Sequence, residues 1–77
     1  MFYNSFLHEE VIGGHIESSY GYLKFEKDSN GRWHAEDNGS YYDCDLSDMQ
    51  GHIVPHMQNV IRAEGYYADG HITTLKL

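Results

Sequence analysis

Turn-forming residues cut this chain into short runs, and that punctuation restricts the fold more than any other feature of the sequence. Gly13-Gly14, Ser29-Asn30-Gly31, Asp37-Asn38-Gly39 and Asp69-Gly70 each set residues that tolerate positive φ between apolar or alternating stretches. Such spacing reads as tight connections between strands. The clearest strand covers residues 15–27, where Leu23 and Phe25 fall on one face and Tyr20, Tyr22 and Lys24 on the other, a period of two. Asn30-Gly31 then turns the chain into residues 32–36, in which Trp33 and Ala35 alternate with His34 and Glu36. Residues 41–45 continue the meander after Asn38-Gly39. Trp33 lies opposite the Leu23 and Phe25 face and is expected in the core.

One stretch has helical character. Ser47 followed by Gln50 has capping-box form, and Met49, Ile53, Met57, Val60 and Ile61 recur at helical spacing before Gly65 offers a stop. Gly51 and Pro55 weaken the first half, because proline suits a first turn and breaks an interior. The expectation is a turn or 3₁₀ piece near residues 47–50 and a true helix over 55–64. Residues 66–77 return as β structure, with Leu75 and Leu77 on one face. Residues 2–12 read as a strand entering Gly13-Gly14 or as a short helix, and the strand is preferred. The fold class is α+β: a small antiparallel sheet of four or five strands, in meander order, with one α-helix packed on it.

At 77 residues the chain has room for one domain, residues 1–77, whose core supplies roughly 3 to 5 kcal/mol unless a partner or a homodimer adds to it. Seven Tyr, three Phe and one Trp give enough apolar surface for a compact state. One cysteine, Cys44, cannot form an internal disulfide, which points to a reducing, cytoplasmic setting. No basic-flanked apolar leader and no run of bilayer length is present, so a soluble protein is expected.

Twelve carboxylates against five Lys and Arg set a net charge of −7. That field repels nucleic acid and anionic membranes and favours encounter with a basic protein surface or a cation. The charge is also unevenly placed. No Lys or Arg occurs from Trp33 through Ile61, while Glu36, Asp37, Asp43, Asp45 and Asp48 put five negative charges within thirteen residues. Asp43 and Asp45 on one strand would share a face about 6.6 Å apart, a spacing at which carboxylates can stand in for successive phosphates. Tyr41-Tyr42 and Tyr66-Tyr67 add the residue type enriched where surfaces bind protein.

Other chemistries find less support. Asp48, His52 and His56 are four apart, and a continuous helix would set them on one face as half of a zinc site. The glutamate of a metalloprotease helix is absent, Pro55 interrupts the spacing, and a fourth ligand is missing. These three are therefore read as exposed polar residues opposite the Met49, Ile53, Met57 stripe, with no metal or cofactor bound. Cys44 lies between Asp43 and Asp45, anions that disfavour a thiolate, so it is read as a structural strand residue. Glu9-Glu10 and Asp43-Asp45 lack the ordered oxygen-ligand loop of a cation site. Phosphate-loop, Rossmann and serine-nucleophile spacings are absent, and the chain is read as a non-enzyme.

The expectation is a non-enzymatic interaction module. An acidic face carrying Glu36, Asp37, Tyr41, Tyr42, Asp43, Asp45 and Asp48 docks on a basic, nucleic-acid-binding protein and inhibits it by occupancy. In size and charge the chain is similar to small acidic inhibitors that phages encode against host nucleic-acid machinery, anti-CRISPR proteins and nucleic-acid mimics among them, a likeness of composition carried by no motif. A metal- or ligand-binding domain on Asp48, His52 and His56 is the alternative, and a dimeric structural or regulatory subunit a second.

Overall fold

A computed structural model describes residues 11–76. Most of the strand-or-helix choice for residues 2–12, the Glu9-Glu10 pair and Leu77 lie outside the described residues. Six strands and one helix follow in the order β1 (Val11–Ser18), β2 (Gly21–Lys27), β3 (Trp33–Asp37), β4 (Ser40–Cys44), α1 (Leu46–Gln58), β5 (Val60–Tyr67) and β6 (Ile72–Lys76). They build one sheet in the order β4-β3-β2-β1-β5-β6, antiparallel at every pairing. The α+β class, an antiparallel sheet with one helix on it, is as expected; among the described residues the sheet has six strands where four or five were expected, and the meander order holds for β1 to β4 but not for β5, which crosses over to pair with β1. No described helix is long and apolar enough to cross a membrane.

The extra strand comes from a turn the sequence hides. Residues 15–27 are not one strand: the chain reverses through Ser19 and Tyr20, so that Ser18 pairs with Gly21 and Ile16 with Leu23. Gly21 has φ +127° there, and a Cβ on it would sit 1.9 Å from Asn38 Oδ1, so only glycine fits. Asn38 occupies that space because its side chain accepts the Tyr22 N–H at 2.8 Å and donates to the Tyr20 carbonyl at 2.9 Å. The tight β3–β4 turn, with Asn38 at φ +51° and Gly39 at φ +90°, is thereby stitched to the start of β2.

Gly13-Gly14, expected to be a turn, lies inside β1. The reason is packing. A Cβ on Gly14 would meet the Phe25 ring at 2.5 Å and the Glu64 carbonyl at 2.6 Å, so this glycine lets Phe25 and β5 approach closely. Asn30-Gly31 and Asp69-Gly70 do turn the chain, between β2 and β3 and between β5 and β6.

The helix is displaced from its expected span. It starts at Leu46 and not at Pro55, because Asp45 is its N-cap: Asp45 Oδ1 accepts the Asp48 N–H at 2.9 Å. It runs through Pro55, whose exposed position leaves the unbonded carbonyl four residues back, at exposed Gly51, to water. Asn59 ends it, its side chain donating to the Pro55 carbonyl at 3.1 Å and its backbone N–H to the His56 carbonyl at 3.2 Å. Val60 and Ile61 belong to β5, and Gly65 sits within that strand.

The helix lies across one face of the sheet. Met49, Ile53 and Met57 pack on Leu23, Phe25, Trp33, Ile16 and Ala63, all buried. Phe25 and Trp33 are in ring contact with centroids 5.9 Å apart. Cys44 ends β4 within this core at 5% exposure, and burial pushes its thiol pKa up, as do the neighbouring Asp48, Asp45 and Asp43 carboxylates.

Candidate functional site

Because one helix covers one side of a six-stranded sheet, strand alternation sorts every polar residue into one of two environments. On the helix side, Asp37 closes β3 and takes two histidines of α1: its carboxylate accepts His52 Nδ1 at 2.9 Å and His56 Nε2 at 2.8 Å. The far nitrogen of His56, Nδ1, meets the Ser18 hydroxyl at 2.7 Å. Ser18 Oγ in turn accepts the Tyr20 N–H at 3.2 Å. Tyr42 lies on the same side, its ring 4.6 Å from that of His52. Burial alone would raise the Asp37 pKa, but the hydrogen bonds from His52 and His56 outweigh it and hold the carboxyl below its ordinary 3.8.

This arrangement corrects the reading of His52 and His56 as exposed residues opposite the apolar stripe. His56 is 3% exposed, and the two are recruited by one aspartate from β3. Asp48 stays exposed in the first helical turn and does not join them. Among the described residues no group of three or more His, Cys, Asp or Glu side chains is placed to hold a metal ion. Hydroxyl, imidazole and carboxylate do touch in the order of a hydrolase triad. Ser18 is only 7% exposed and its oxygen already takes a backbone donor, so the contact acts as a latch joining the β1–β2 turn, the helix and the end of β3.

The other side of the sheet has no covering element among the described residues. Its side chains stand in rows fixed by register. Tyr41, Glu36, Lys24, His15 and Glu64 form one row across β4, β3, β2, β1 and β5. Asp43, His34, Glu26, Gly13 and Tyr66 form the next. On this face of β1 to β5, Glu17, Glu26, Glu36, Asp43 and Glu64 stand against Lys24 and Arg62 as permanent charges, so the face is anionic. A shallow concavity of about 470 Å³ runs over it, floored by the two glycines of β1 and flanked by Tyr41 and Tyr66.

Several of these side chains are already partnered. His34 bridges Asp28 at 2.8 Å and Asp43 at 2.5 Å, and the hydrogen bonds to Asp28 and then to Asp43 raise its pKa above 6.5. The same contact with His34 lowers that of Asp28. Glu36 accepts the Tyr22 hydroxyl in a short hydrogen bond, which raises the tyrosine's pKa. Arg62 pairs with Glu64 at 3.3 Å. Glu26 is exposed and has no side-chain hydrogen bond or ion pair among the described residues. Tyr41 is 79% exposed.

The seven residues singled out from the sequence therefore divide. Glu36, Tyr41 and Asp43 project from the open face. Asp37 and Tyr42 are turned to the helix. Asp45 and Asp48 lie beyond β4, as helix cap and first-turn residue, so Asp43 and Asp45 do not share a strand face as expected. Sequence reasoning missed Ile12 and Glu26 and did not place Tyr66 beside them, because reading Gly13-Gly14 as a turn removed the strand that brings the three together. No protein-family model, no characterised protein and no solved structure matches the chain.

Proposed function

We propose that the chain is a non-enzymatic interaction module that docks its open sheet face on a basic, nucleic-acid-binding protein and inhibits it by occupying the surface where nucleic acid binds. The observation that carries the reading is the excess of carboxylates on a face that no other described element covers, which also bears exposed Tyr41 and Tyr66 around a concavity. Carboxylates in rows speed encounter with a basic surface, and tyrosines supply contact area that tolerates both water and burial. Glu36, Tyr41 and Asp43 are its outward members, Glu26 and Tyr66 join them, and Asp45 and Asp48 extend the charge past the β4 edge. Asp37 and Tyr42 serve the surface indirectly, by holding the helix to the sheet.

Affinity capture from cell extract, eluted in steps of rising salt, is the test. The expected result is a basic protein released at moderate salt, whose binding to duplex DNA or RNA in a purified assay is displaced by the chain. A captured protein whose nucleic-acid binding is unaffected by saturating amounts of the chain contradicts the proposal.

A further inference from the structure

Within the open face one spot differs from the rest. Gly13 is the centre of a row in which Glu26 stands on β2 to one side and Tyr66 on β5 to the other. Two strand spacings, about 9.6 Å in all, separate the backbones that carry these side chains, and nothing rises from Gly13 between them. The result is a slot with a carboxylate wall, an aromatic wall and a backbone floor. Ile12, 40% exposed, lies beside it, and Glu36 stands diagonal to Glu26, about 7–8 Å away between backbones. Lys24 also borders the concavity, but its ammonium lies over the Tyr22 ring, 5.7 Å from the centroid, and Tyr22 is not part of the lining.

We propose that this slot receives an arginine side chain presented by the basic partner, with the guanidinium lying over Gly13, paired with the Glu26 carboxylate and stacked on the Tyr66 ring. The inference rests on the docking proposal above and names the contact that anchors it. Each part of the slot answers a property of that group. A guanidinium is planar and weakly hydrated, so it can lie flat in a gap that a bulkier floor residue would close and can face an aromatic ring while donating in its own plane. Glu26 has its full acceptor capacity free, whereas Glu36, His34 and Asp43 are engaged. A lysine ammonium would gain the charge contact without the stacking. The surrounding carboxylates add attraction for a cation and none for a phosphate or carboxylate ligand.

The test is an amide NMR titration of the protein with a short acetylated, amidated peptide containing two arginines, alongside peptides in which they are replaced by lysine or by citrulline. The arginine peptide is expected to shift the amides of Ile12 to Gly14, Phe25, Glu26 and Tyr66 and to leave those of Asp45 to Met49 in place. Glu26→Gln and Tyr66→Leu are each expected to weaken it about three- to tenfold, with the amide spectrum otherwise that of the folded protein. The citrulline peptide should cause no shifts, and the lysine peptide should bind more weakly. Equal shifts from the lysine peptide, shifts spread over all the carboxylates, or tighter binding of free arginine or spermidine than of the peptide would overturn the slot. Should a salt-released basic protein be captured as well by Glu26→Gln as by wild type, the slot fails while the docking reading stands. Should the slot bind the peptide while no captured protein loses its nucleic acid, the docking reading fails and the slot stands.

Discussion

Glu36 and Asp37 are neighbours in sequence and carry the same charge, yet the sheet gives them opposite fates. Asp37 faces the helix, where two histidines surround its carboxylate and its exposure falls to 22%. Glu36 faces outward with a tyrosine hydroxyl as its one side-chain partner among the described residues. The same division runs along every strand, and it shows that charge density along a sequence does not locate a surface. What matters is which side of the pleat each residue takes. On the covered side polar groups have been absorbed into fixed hydrogen bonds that hold α1 in place. On the open side they are distributed in rows with spare acceptor capacity.

The covered face should be far the more sensitive to substitution. Trp33→Ala empties a site that is 3% exposed and is expected to cost about 3–5 kcal/mol, enough to unfold a domain of such size. Thermal denaturation followed by circular dichroism checks this, and an unchanged melting temperature would remove Trp33 from the core. Next comes Asp37→Ala, which deprives buried His56 of its Nε2 partner and should cost about 1–3 kcal/mol. Because the folded Asp37 pKa lies below 3.8, its contribution is complete above that value and fades as the pH falls through the lowered one. The acid limb of the stability curve should therefore be flatter in Asp37→Asn than in wild type, as urea melts between about pH 2 and 5 would reveal.

Substitutions on the open face should spare stability and act on binding. Asp43→Lys, at a side chain 70% exposed, is expected to leave the melting temperature nearly in place and slow association with a basic partner. Wild-type affinity should fall steadily as ionic strength rises from about 50 to about 500 mM, where the screening length shrinks from about 14 to about 4 Å. Salt-independent affinity would mean the contact is not electrostatic. The smallest effect is expected at His34, whose pKa is raised by Asp28 and Asp43. Its contribution is complete below pH 6.5 and fades as the pH rises through the raised value. His34→Gln should abolish that shallow alkaline slope and, because the His34 contact also lowers the Asp28 pKa, reduce the Asp28 contribution that is lost at acid pH.

The parts of this fold that were legible in the sequence are those governed by local rules. Leu23 and Phe25 alternate with polar neighbours and are buried. Trp33 and Ala35 do likewise, and Asn38-Gly39 takes the positive φ values its residue types allow. Met49, Ile53 and Met57 keep helical spacing because they meet one apolar face. What was not legible depends on distant partners. The reversal at Ser19 and Tyr20 uses Asn38, seventeen or more residues away, to fill the space above Gly21. Gly14 is extended because Phe25 and β5 crowd it, and nothing within Gly13-Gly14 distinguishes that from a turn. Asp45 became a cap because α1 begins immediately after β4, and Pro55 was tolerated because it landed on the exposed side of α1. The candidate site suffered most, since Glu26 and Tyr66 are forty residues apart in sequence and meet only across Gly13.

The most direct test of the account sets two equal changes of charge against each other. Glu26→Gln with Glu36→Gln removes two negative charges from the open face, and Asp69→Lys makes the same net change of charge at an exposed carboxylate in the β5–β6 turn away from it. Quantitative capture from the same extract, at matched salt and with melting temperatures checked in parallel, compares both variants with wild type. The first variant is expected to lose most of the basic protein that wild type retains, while the second keeps nearly all of it. Equal losses from the two variants would mean that net charge alone governs the interaction, and the open face would then have no claim as the docking surface.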